Sequence, residues 1–253
     1  MAQKVLITAA ASGIGLEIAR AFVSAGATVF ITDINTQAID AAKKEVPGLL
    51  SSLCDNSKRS DIEAMVPAAV KALGGLDVLV NNAGISGPTA PVEEMDPDKW
   101  EQVMTVDLVG TFNVTRLAIP HLKKSSAGSI IIMSSLGGRF GYPNRSPYNV
   151  AKAGLIGFAK TLAIELGDHN IRANAIAPGA VGGQRIENVL AGRAKVEGKS
   201  VEDERASMLS IQTLKRFVDP KDIAALCVFL ASDAGKSISG QVIPIDNGAL
   251  KAS

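Results

Sequence analysis

Short apolar runs alternate with longer stretches of helical periodicity along the whole chain of 253 residues. The runs are apolar throughout rather than at every second position, which is typical of strands covered on both faces. A strand–helix–strand unit returns each strand parallel to the last, so this alternation predicts an α/β fold in which a doubly wound parallel sheet lies between two layers of helices. Seven strands are predicted, at 4–8, 28–32, 48–53, 78–80, 129–133, 172–177 and 241–245.

The intervening stretches predict helices, and nothing divides the chain into separate units. No repeat, low-complexity tract or linker occurs, so we expect one domain over residues 1–253. The one long segment without a strand, 179–217, is charged, and we expect it to be partly helical, without a core of its own. The predicted helices lie at 14–25, 36–45, 59–73, 100–123, 147–166 and 221–231.

Charge and composition exclude several function classes. A formal net charge of +1 and the lack of polybasic runs argue against nucleic acid or a membrane surface as a partner. Cys54 and Cys227 lie in apolar segments and predict buried thiols, which suits a reducing compartment. Two histidines without clustered cysteines give no metal site. With no signal peptide or spanning segment in the pattern, we expect a cytoplasmic protein.

A loop of small residues follows the first predicted strand and leads directly into a helix. It runs from Thr8 to Gly15 and includes Ser12, Gly13 and Ile14. Small residues let the backbone approach a pyrophosphate, whose charge the helix N-terminus stabilises. Ala9 stands where the first glycine of such a loop is expected, and we expect its methyl group to be tolerated through a negative φ. A tight turn without a ligand is the alternative.

Asp33 closes the second predicted strand, about 20 residues after that loop. An acid at this place accepts hydrogen bonds from the two hydroxyls of an adenosine ribose and repels a 2′-phosphate. Asp33 therefore favours NAD(H) over NADP(H). A solvated loop aspartate is the alternative interpretation.

Tyr148 and Lys152 are four residues apart in a predicted helix, and Ser135 ends the fifth strand region. The spacing places an ammonium and a phenol on one helix face. The ammonium favours the phenolate, and Ser135 can hydrogen-bond the oxygen that Tyr148 protonates or deprotonates. These are the groups that hydride transfer at an alcohol carbon requires, although a surface Tyr and Lys on an ordinary helix give the same spacing.

The motifs in this order resemble the short-chain dehydrogenase/reductase family over the whole length of the chain. The resemblance rests on Thr8, Gly13-Ile14-Gly15, Asn81-Asn82-Ala83-Gly84, Ser135, Tyr148-x-x-x-Lys152 and Pro178-Gly179. It implies a Rossmann fold with Tyr148 as the general acid/base, Ser135 as the anchor of the substrate oxygen, and Lys152 both favouring the phenolate and binding the nicotinamide ribose.

The resemblance also implies the remaining cofactor contacts. The Asn82–Gly84 motif passes beneath the adenosine ribose, and Asp55 contacts the adenine. The implied cofactor-binding residues are Ser12, Gly13, Ile14, Gly15, Asp33, Asp55, Asn56, Asn82, Ala83, Gly84, Tyr148, Lys152, Pro178, Gly179 and Val181.

Two further positions depart from the family pattern. Asp107 occupies the place of the catalytic asparagine, which in the family holds a water that connects the lysine to solvent. An ionised Asp107 still accepts from that water, and we expect it to pair with Lys152. Gly183 stands where many relatives have a threonine that contacts the carboxamide.

Polar side chains near the predicted site indicate a polar or anionic substrate. Segment 182–212 matches the family's substrate loop and is longer than usual. Long loops beside a rigid sheet end are commonly lids. The candidate substrate residues are Arg139, Asn144, Arg145, Gln184 and Arg185.

Together these features predict an NAD(H)-dependent oxidoreductase that interconverts a secondary alcohol and a ketone. A hydroxy acid, a polyol or a sugar derivative would suit the polar residues. An NADP-dependent ketoacyl or carbonyl reductase is the alternative enzyme, and an NAD(H)-binding sensor or scaffold is the alternative of another class. The family resemblance also implies a homotetramer, with a dimer as the smaller option.

Overall fold

The seven strands form a single parallel sheet in the order β3-β2-β1-β4-β5-β6-β7. The structure is a computed structural model that describes residues 2–249. The doubly wound Rossmann architecture and the number of strands predicted from the sequence are confirmed. The strands are β1 (Lys4–Ile7), β2 (Thr28–Asp33), β3 (Leu50–Leu53), β4 (Val78–Asn81), β5 (Gly128–Met133), β6 (Ile171–Pro178) and β7 (Val242–Ile245).

Helices cover both faces of the sheet, each over its own apolar cluster. On one face Phe22 of α1 and Leu230 of α10 pack over the strands, and on the other Leu122 of α5 and Leu155 of α7 do so. None of the helices among residues 2–249 is both long and apolar enough to cross a bilayer. The helices are α1 (Gly13–Ser24), α2 (Thr36–Glu45), α3 (Arg59–Leu73), α4 (Pro97–Val103), α5 (Gly110–Leu122), α6 (Leu136–Phe140), α7 (Ser146–Leu166), α8 (Gln184–Glu197), α9 (Val201–Ser210) and α10 (Pro220–Ala231).

The predicted helix over 100–123 is interrupted. Asp96 caps α4 by accepting hydrogen bonds from two backbone amides, and a π-helical turn, Met104–Val109, then separates α4 from α5. Such single π turns are frequent at functional sites. Gly110 ends the turn against the carbonyl of Asn56, where a Cβ would lie 2.5 Å from that oxygen. Residues close in sequence do not reveal this tertiary contact, so the sequence did not predict that the helix is interrupted.

Segment 179–217 is partly helical, as predicted. It folds into α8 and α9, in which Leu190 and Met208 are buried. Arg193 Nε lies 2.8 Å from Glu204 Oε1, and both residues are buried. Part of the charge of this segment therefore forms an internal ion pair, and we call α8 and α9 together the lid.

Ala9 adopts a positive φ of 50°, so the expectation of a negative φ is wrong. Its carbonyl accepts a hydrogen bond from Asn82 Nδ2 at 2.8 Å, and the next amide, Ala10 N, donates to Thr32 O at 2.8 Å. These two contacts hold the turn in the left-handed region despite the methyl group. That conformation costs a non-glycine residue about 1–2 kcal/mol.

We predict that Ala9→Gly stabilises the protein. Removing the strained methyl group should raise the free energy of unfolding by about 1 kcal/mol. For a chain of this size that corresponds to roughly 2–4 °C in thermal midpoint, measured by calorimetry. Ala11→Gly, in the same loop but without a positive φ, is the control and should destabilise. A lower thermal midpoint for Ala9→Gly would contradict the inference that the backbone is strained at Ala9.

Candidate active site

The carboxyl ends of the strands define the candidate site. The sheet order reverses between β1 and β4, because β2 and β3 extend to one side of β1 and β4 to β7 to the other. The connections that leave these two strands diverge, and ligands of doubly wound sheets bind in the crevice between them.

The glycine loop is shaped for close approach by a ligand. Gly13 has a φ of 54°, and a Cβ there would meet no atom within 4 Å, so space lies open above it. Gly15 faces inward, where a Cβ would lie 2.6 Å from Ala9 O. Ser12 is exposed as the N-cap of α1, and its side chain makes no capping hydrogen bond. Ile14 packs against the apolar cluster beneath the loop.

Asn82 ties this loop to the neighbouring strand. Its Nδ2 donates to Thr8 O and Ala9 O at 3.1 and 2.8 Å. In return Thr8 Oγ1 accepts from the backbone amides of Asn82 and Ala83 at 3.0 Å each. These bonds fix the two strand ends between which the crevice opens.

Two aspartates lie where β2 and β3 end, on one side of the crevice. Asp33 Oδ2 accepts from Ala11 N at 3.1 Å, which places the carboxylate beside the glycine loop. Asp55 Oδ1 accepts from the backbone amide and hydroxyl of Ser57. Burial would raise the pKa of Asp55, but the Ser57 hydrogen bonds and the charge of Lys58 outweigh burial and lower it. Asn56 beside it is buried, and its Nδ2 has no partner among the described residues.

Ser135, Tyr148 and Lys152 lie where β5 ends and α7 begins. Ser135 is buried, its Oγ accepts from Gly137 N at 3.1 Å, and the Tyr142 hydroxyl lies within its hydrogen-bonding reach. Lys152 Nζ lies 5.7 Å from the centroid of the Tyr148 ring. It donates to Met133 O at 3.1 Å, which fixes the ammonium at the end of β5.

Asp107, in the π turn, completes this group. It is fully buried, with Oδ1 accepting from Ile85 N at 2.7 Å and Oδ2 3.3 Å from Lys152 Nζ. Oδ2 accepts no hydrogen bond, so the contact with Lys152 is an ion pair without hydrogen-bond geometry. Gly84 borders both groups, and a Cβ there would lie 2.9 Å from each. The pair therefore depends on a glycine at 84.

Tyr142, the only other tyrosine of the chain, packs behind Ser135. A Cβ on Gly137 would lie 2.6 Å from the Tyr142 ring. Burial raises the pKa of Tyr142 far above its usual value, and the adjacent Tyr148 adds to the shift. Tyr142 therefore loses its proton even less readily than a free tyrosine does.

The end of β6 supplies a further wall. Gly179 N donates to Ile245 O, and a Cβ on Gly179 would lie 2.9 Å from Asp246 Cα. Pro178 is the last residue of β6, and Val181 forms a parallel bridge with Val218 beyond it. Gly183, the N-cap of α8, has a φ of 129° that favours glycine.

The five candidate substrate residues divide into two groups. Arg139 pairs with Asp246 at 3.3 Å, Asn144 adopts a positive φ in a turn, and Gln184 bonds Asn188 on the exposed lid. Arg145 and Arg185 point toward the site, since Arg145 stacks on Tyr148 with Cζ 5.1 Å from the ring centroid and Arg185 Nη1 donates to Gly84 O at 3.2 Å.

A cavity of about 460 Å³ opens between Arg145 and the lid. Ser86, Gly87 and Thr89, which follow β4, line it and were not predicted from the sequence. The only feature of the sequence that could have indicated them is their position directly after the Asn82–Gly84 motif. Among residues 2–249, no group of three or more His, Cys, Asp or Glu could hold a metal ion. The lining residues are Ser86, Gly87, Thr89, Arg145, Asn188, Val189, Gly192, Lys195 and Val196.

Comparison with known proteins places this geometry in context. A family model described as enoyl-(acyl carrier protein) reductase matches residues 8–249. The 3-oxoacyl-(acyl-carrier-protein) reductase of Thermotoga maritima is 40% identical over 247 residues, 96% of each chain. The D-beta-hydroxybutyrate dehydrogenase of Cupriavidus necator is 36% identical over 250 residues, again 96% of each.

Solved structures agree in fold and differ in cofactor. A xylitol dehydrogenase with bound NAD+ superposes with a TM-score of 0.93 at 28% identity, covering 97% of this chain and 98% of its own. A single-residue variant of the actinorhodin polyketide ketoreductase with NADPH has a TM-score of 0.92 at 30% identity, covering 98% of each. Such structures therefore bind nicotinamide cofactors of both kinds.

We predict that Asp107→Ala lowers the free energy of unfolding by about 3 kcal/mol, because it leaves the Lys152 ammonium buried without its partner. Asp107→Asn is the matched control. Its free energy of unfolding should fall clearly less, since the amide oxygen still accepts the hydrogen bond from Ile85 N. Urea unfolding measures both. The two variants share the loss of the ion pair, and only Asp107→Ala also loses the Ile85 hydrogen bond, so equal losses would show that this hydrogen bond contributes nothing. No loss in either variant would contradict the stabilising role of the ion pair.

Proposed function

This chain belongs to the short-chain dehydrogenase/reductase family, and we propose that it is an NAD(H)-dependent enzyme that interconverts a secondary alcohol and its ketone. The relatives are oxidoreductases of this family. The observation that carries the proposal is the grouping of Ser135, Tyr148 and Lys152 at the end of β5, beside the crevice of the glycine loop.

The side chains divide the proton chemistry among them. In oxidation the Tyr148 phenolate takes the substrate's hydroxyl proton, and in reduction the phenol returns it to the carbonyl oxygen. Ser135, whose Oγ accepts from Gly137 N, would donate its hydroxyl proton to the same oxygen. Lys152, held by Met133 O and Asp107, stabilises the phenolate. A nicotinamide bound in the crevice would accept or supply the hydride at the substrate carbon.

Asp33 supports NAD(H) as the cofactor. Its carboxylate is fixed by the amides of Ala11 and Asn35, at 3.1 Å each, and both oxygens keep capacity for ribose hydroxyls. A 2′-phosphate would add negative charge beside this carboxylate. Polar and cationic side chains near the cavity, Arg145 and Arg185 among them, support a small polar or anionic substrate such as a hydroxy acid, a polyol or a sugar derivative.

The second candidate is an NADP-dependent reductase of ketoacyl thioesters. The 40% identity with a 3-oxoacyl-(acyl-carrier-protein) reductase favours it, and a ketoreductase structure with NADPH shares the fold. Asp33 weighs against it, because the 2′-phosphate of NADP would lie near a fixed carboxylate.

We also propose that the active form is a homotetramer. Apolar side chains on α7, at the start of α5 and at the end of the π turn before it are exposed, which supports burial against further copies of the chain. They are Val109, Phe112, Val150 and Ile164, with exposed fractions of 44%, 49%, 46% and 83%.

We predict that Tyr148→Phe lowers turnover of secondary alcohols by at least about 100-fold, because it removes the group that exchanges the proton. NADH affinity, measured by fluorescence titration, should change little, since the ring stays in place. Thr161→Val, on the exposed side of the same helix, is the control. Turnover that persists in Tyr148→Phe would refute the catalytic assignment.

We predict that Asp33→Ala combined with Ile34→Arg shifts preference toward NADP. The change removes the carboxylate that repels the 2′-phosphate of NADP. It also adds, at an exposed position, a guanidinium that can donate hydrogen bonds to that phosphate. The ratio of kcat/KM for NADP to that for NAD should rise by about tenfold or more, because a charge-assisted hydrogen bond is worth ~1.5–3 kcal/mol. Asp40→Ala, an exposed carboxylate on α2, should leave the ratio unchanged. An unchanged ratio in the double variant would contradict the role of Asp33.

A further inference from the structure

Arg145 is a buried cation without a counter-ion among the described residues. The residue is 5% exposed, and no carboxylate of residues 2–249 lies within ion-pair distance of its guanidinium. Nη2 donates to Ser86 O at 2.6 Å, whereas Nε is buried and donates to none of the described residues. Buried charges in proteins are normally paired, because an uncompensated one is costly.

The charged neighbours of Arg145 do not supply the missing anion. Burial lowers the pKa of Arg145, the phenol of Tyr148 opposes that shift, and the nearby Arg185 and Arg193 add to it. Arg193 has its own partner in Glu204 at 2.8 Å. The two buried arginines therefore differ. Glu204 of the lid neutralises Arg193, whereas Arg145 faces the cavity without a carboxylate partner.

The cavity beside Arg145 presents one sign of charge. Its two charged lining residues are Arg145 and Lys195, its other polar side chains are hydroxyls and one amide, and no carboxylate lines it. A volume of about 460 Å³ suits a small molecule. Such a cavity, with cations and neutral donors only, is complementary to an anion.

The position of Arg145 limits where the anion lies in the substrate. Its Cζ is 5.1 Å from the centroid of the Tyr148 ring, so a group bound to the guanidinium lies in the same part of the molecule as that ring. A short substrate that reached both residues would carry its anion within a few bonds of the carbinol carbon. A polyol or an uncharged sugar would leave the buried guanidinium without its counter-ion.

We propose that the substrate is a short hydroxy acid, with its keto acid as product, whose carboxylate binds Arg145, with Lys195 of the lid as the second cation of the cavity. This proposal rests on the proposed function, since it assigns the substrate class of that same site. Arg145 thus selects the substrate, and Tyr148 and Ser135 act on the hydroxyl next to the bound carboxylate.

The test compares each acid with its own amide, which has the same shape and no charge. Lactate is paired with lactamide, and β-hydroxybutyrate with β-hydroxybutyramide, in the presence of NAD. For the better acid, Arg145→Gln should lower kcat/KM by roughly 100-fold. For the amide the same variant should change it only a few-fold. Any effect of Arg145 on Tyr148 itself is common to acid and amide, so their ratio isolates recognition of the carboxylate.

Two further variants sharpen the comparison. Arg145→Lys keeps the charge and should recover part of the preference for the acid. Lys199→Gln removes one exposed lid charge, paired with Glu197 outside the cavity, and should leave the ratio unchanged. Arg145→Gln removes an uncompensated buried charge, so its thermal midpoint should be no lower than that of the unaltered protein. That midpoint, together with unchanged NADH binding, confirms that the variant is folded.

Binding separates failure of this proposal from failure of the proposed function. Calorimetric titration of acid and amide into the protein with NADH requires no turnover. Acid binding that Arg145→Gln abolishes would support the carboxylate site even if no NAD were reduced. Equal loss for acid and amide, or an unaltered protein that oxidises neutral alcohols with NAD but binds acids no better than amides, would overturn the proposal and leave the dehydrogenase assignment intact.

Discussion

The parallel direction of all seven strands is the constraint on which the site depends. Because no strand is reversed, every carboxyl end lies at the same edge of the sheet, and the reversal of order between β1 and β4 opens one crevice there. The glycine loop, Asp33 and Ser135 follow different strands, yet they converge on this edge. Asn82 secures the convergence, since its side chain bonds two carbonyls at the end of β1. Sheet topology thus brings together the glycine loop and the group of Ser135, Tyr148 and Lys152, which are more than 100 residues apart.

The buried charged residues of the candidate site differ in whether the chain itself supplies their counter-ions. Asp107 and Lys152 are buried together, and the π turn and Gly84 provide the space that their contact requires. Arg193 and Glu204 form a second buried pair inside the lid. Both pairs are compensated within the chain, whereas the guanidinium of Arg145 has only carbonyl and aromatic contacts. Because isolated buried charge is unfavourable, the position of this exception beside Tyr148 indicates how the site selects its substrate.

Local patterns predicted the sheet, the loop and the Tyr148–Lys152 spacing, because apolar runs, small-residue turns and helical periodicity are encoded by neighbouring residues. Features fixed by distant contacts could not be predicted in this way. Ala9 is held at a positive φ by hydrogen bonds involving Asn82 and Thr32, and the π turn packs against Asn56. The burial of Arg193 depends on a partner eleven residues away on another helix. Arg139 and Arg145 were equivalent substrate candidates in the sequence. Only the structure shows that Arg139 is already paired with Asp246.

The central claim is that these residues perform hydride transfer with NAD(H). The most direct measurement is the nicotinamide absorbance change when the purified protein receives NAD with hydroxy acids, polyols and sugars, and NADH with the corresponding ketones. We expect reduction of NAD by at least one secondary alcohol, oxidation of NADH by its ketone, and much weaker activity with NADP. Tight NADH binding without turnover in either direction would contradict it and would favour a sensor or a scaffold built on the same fold.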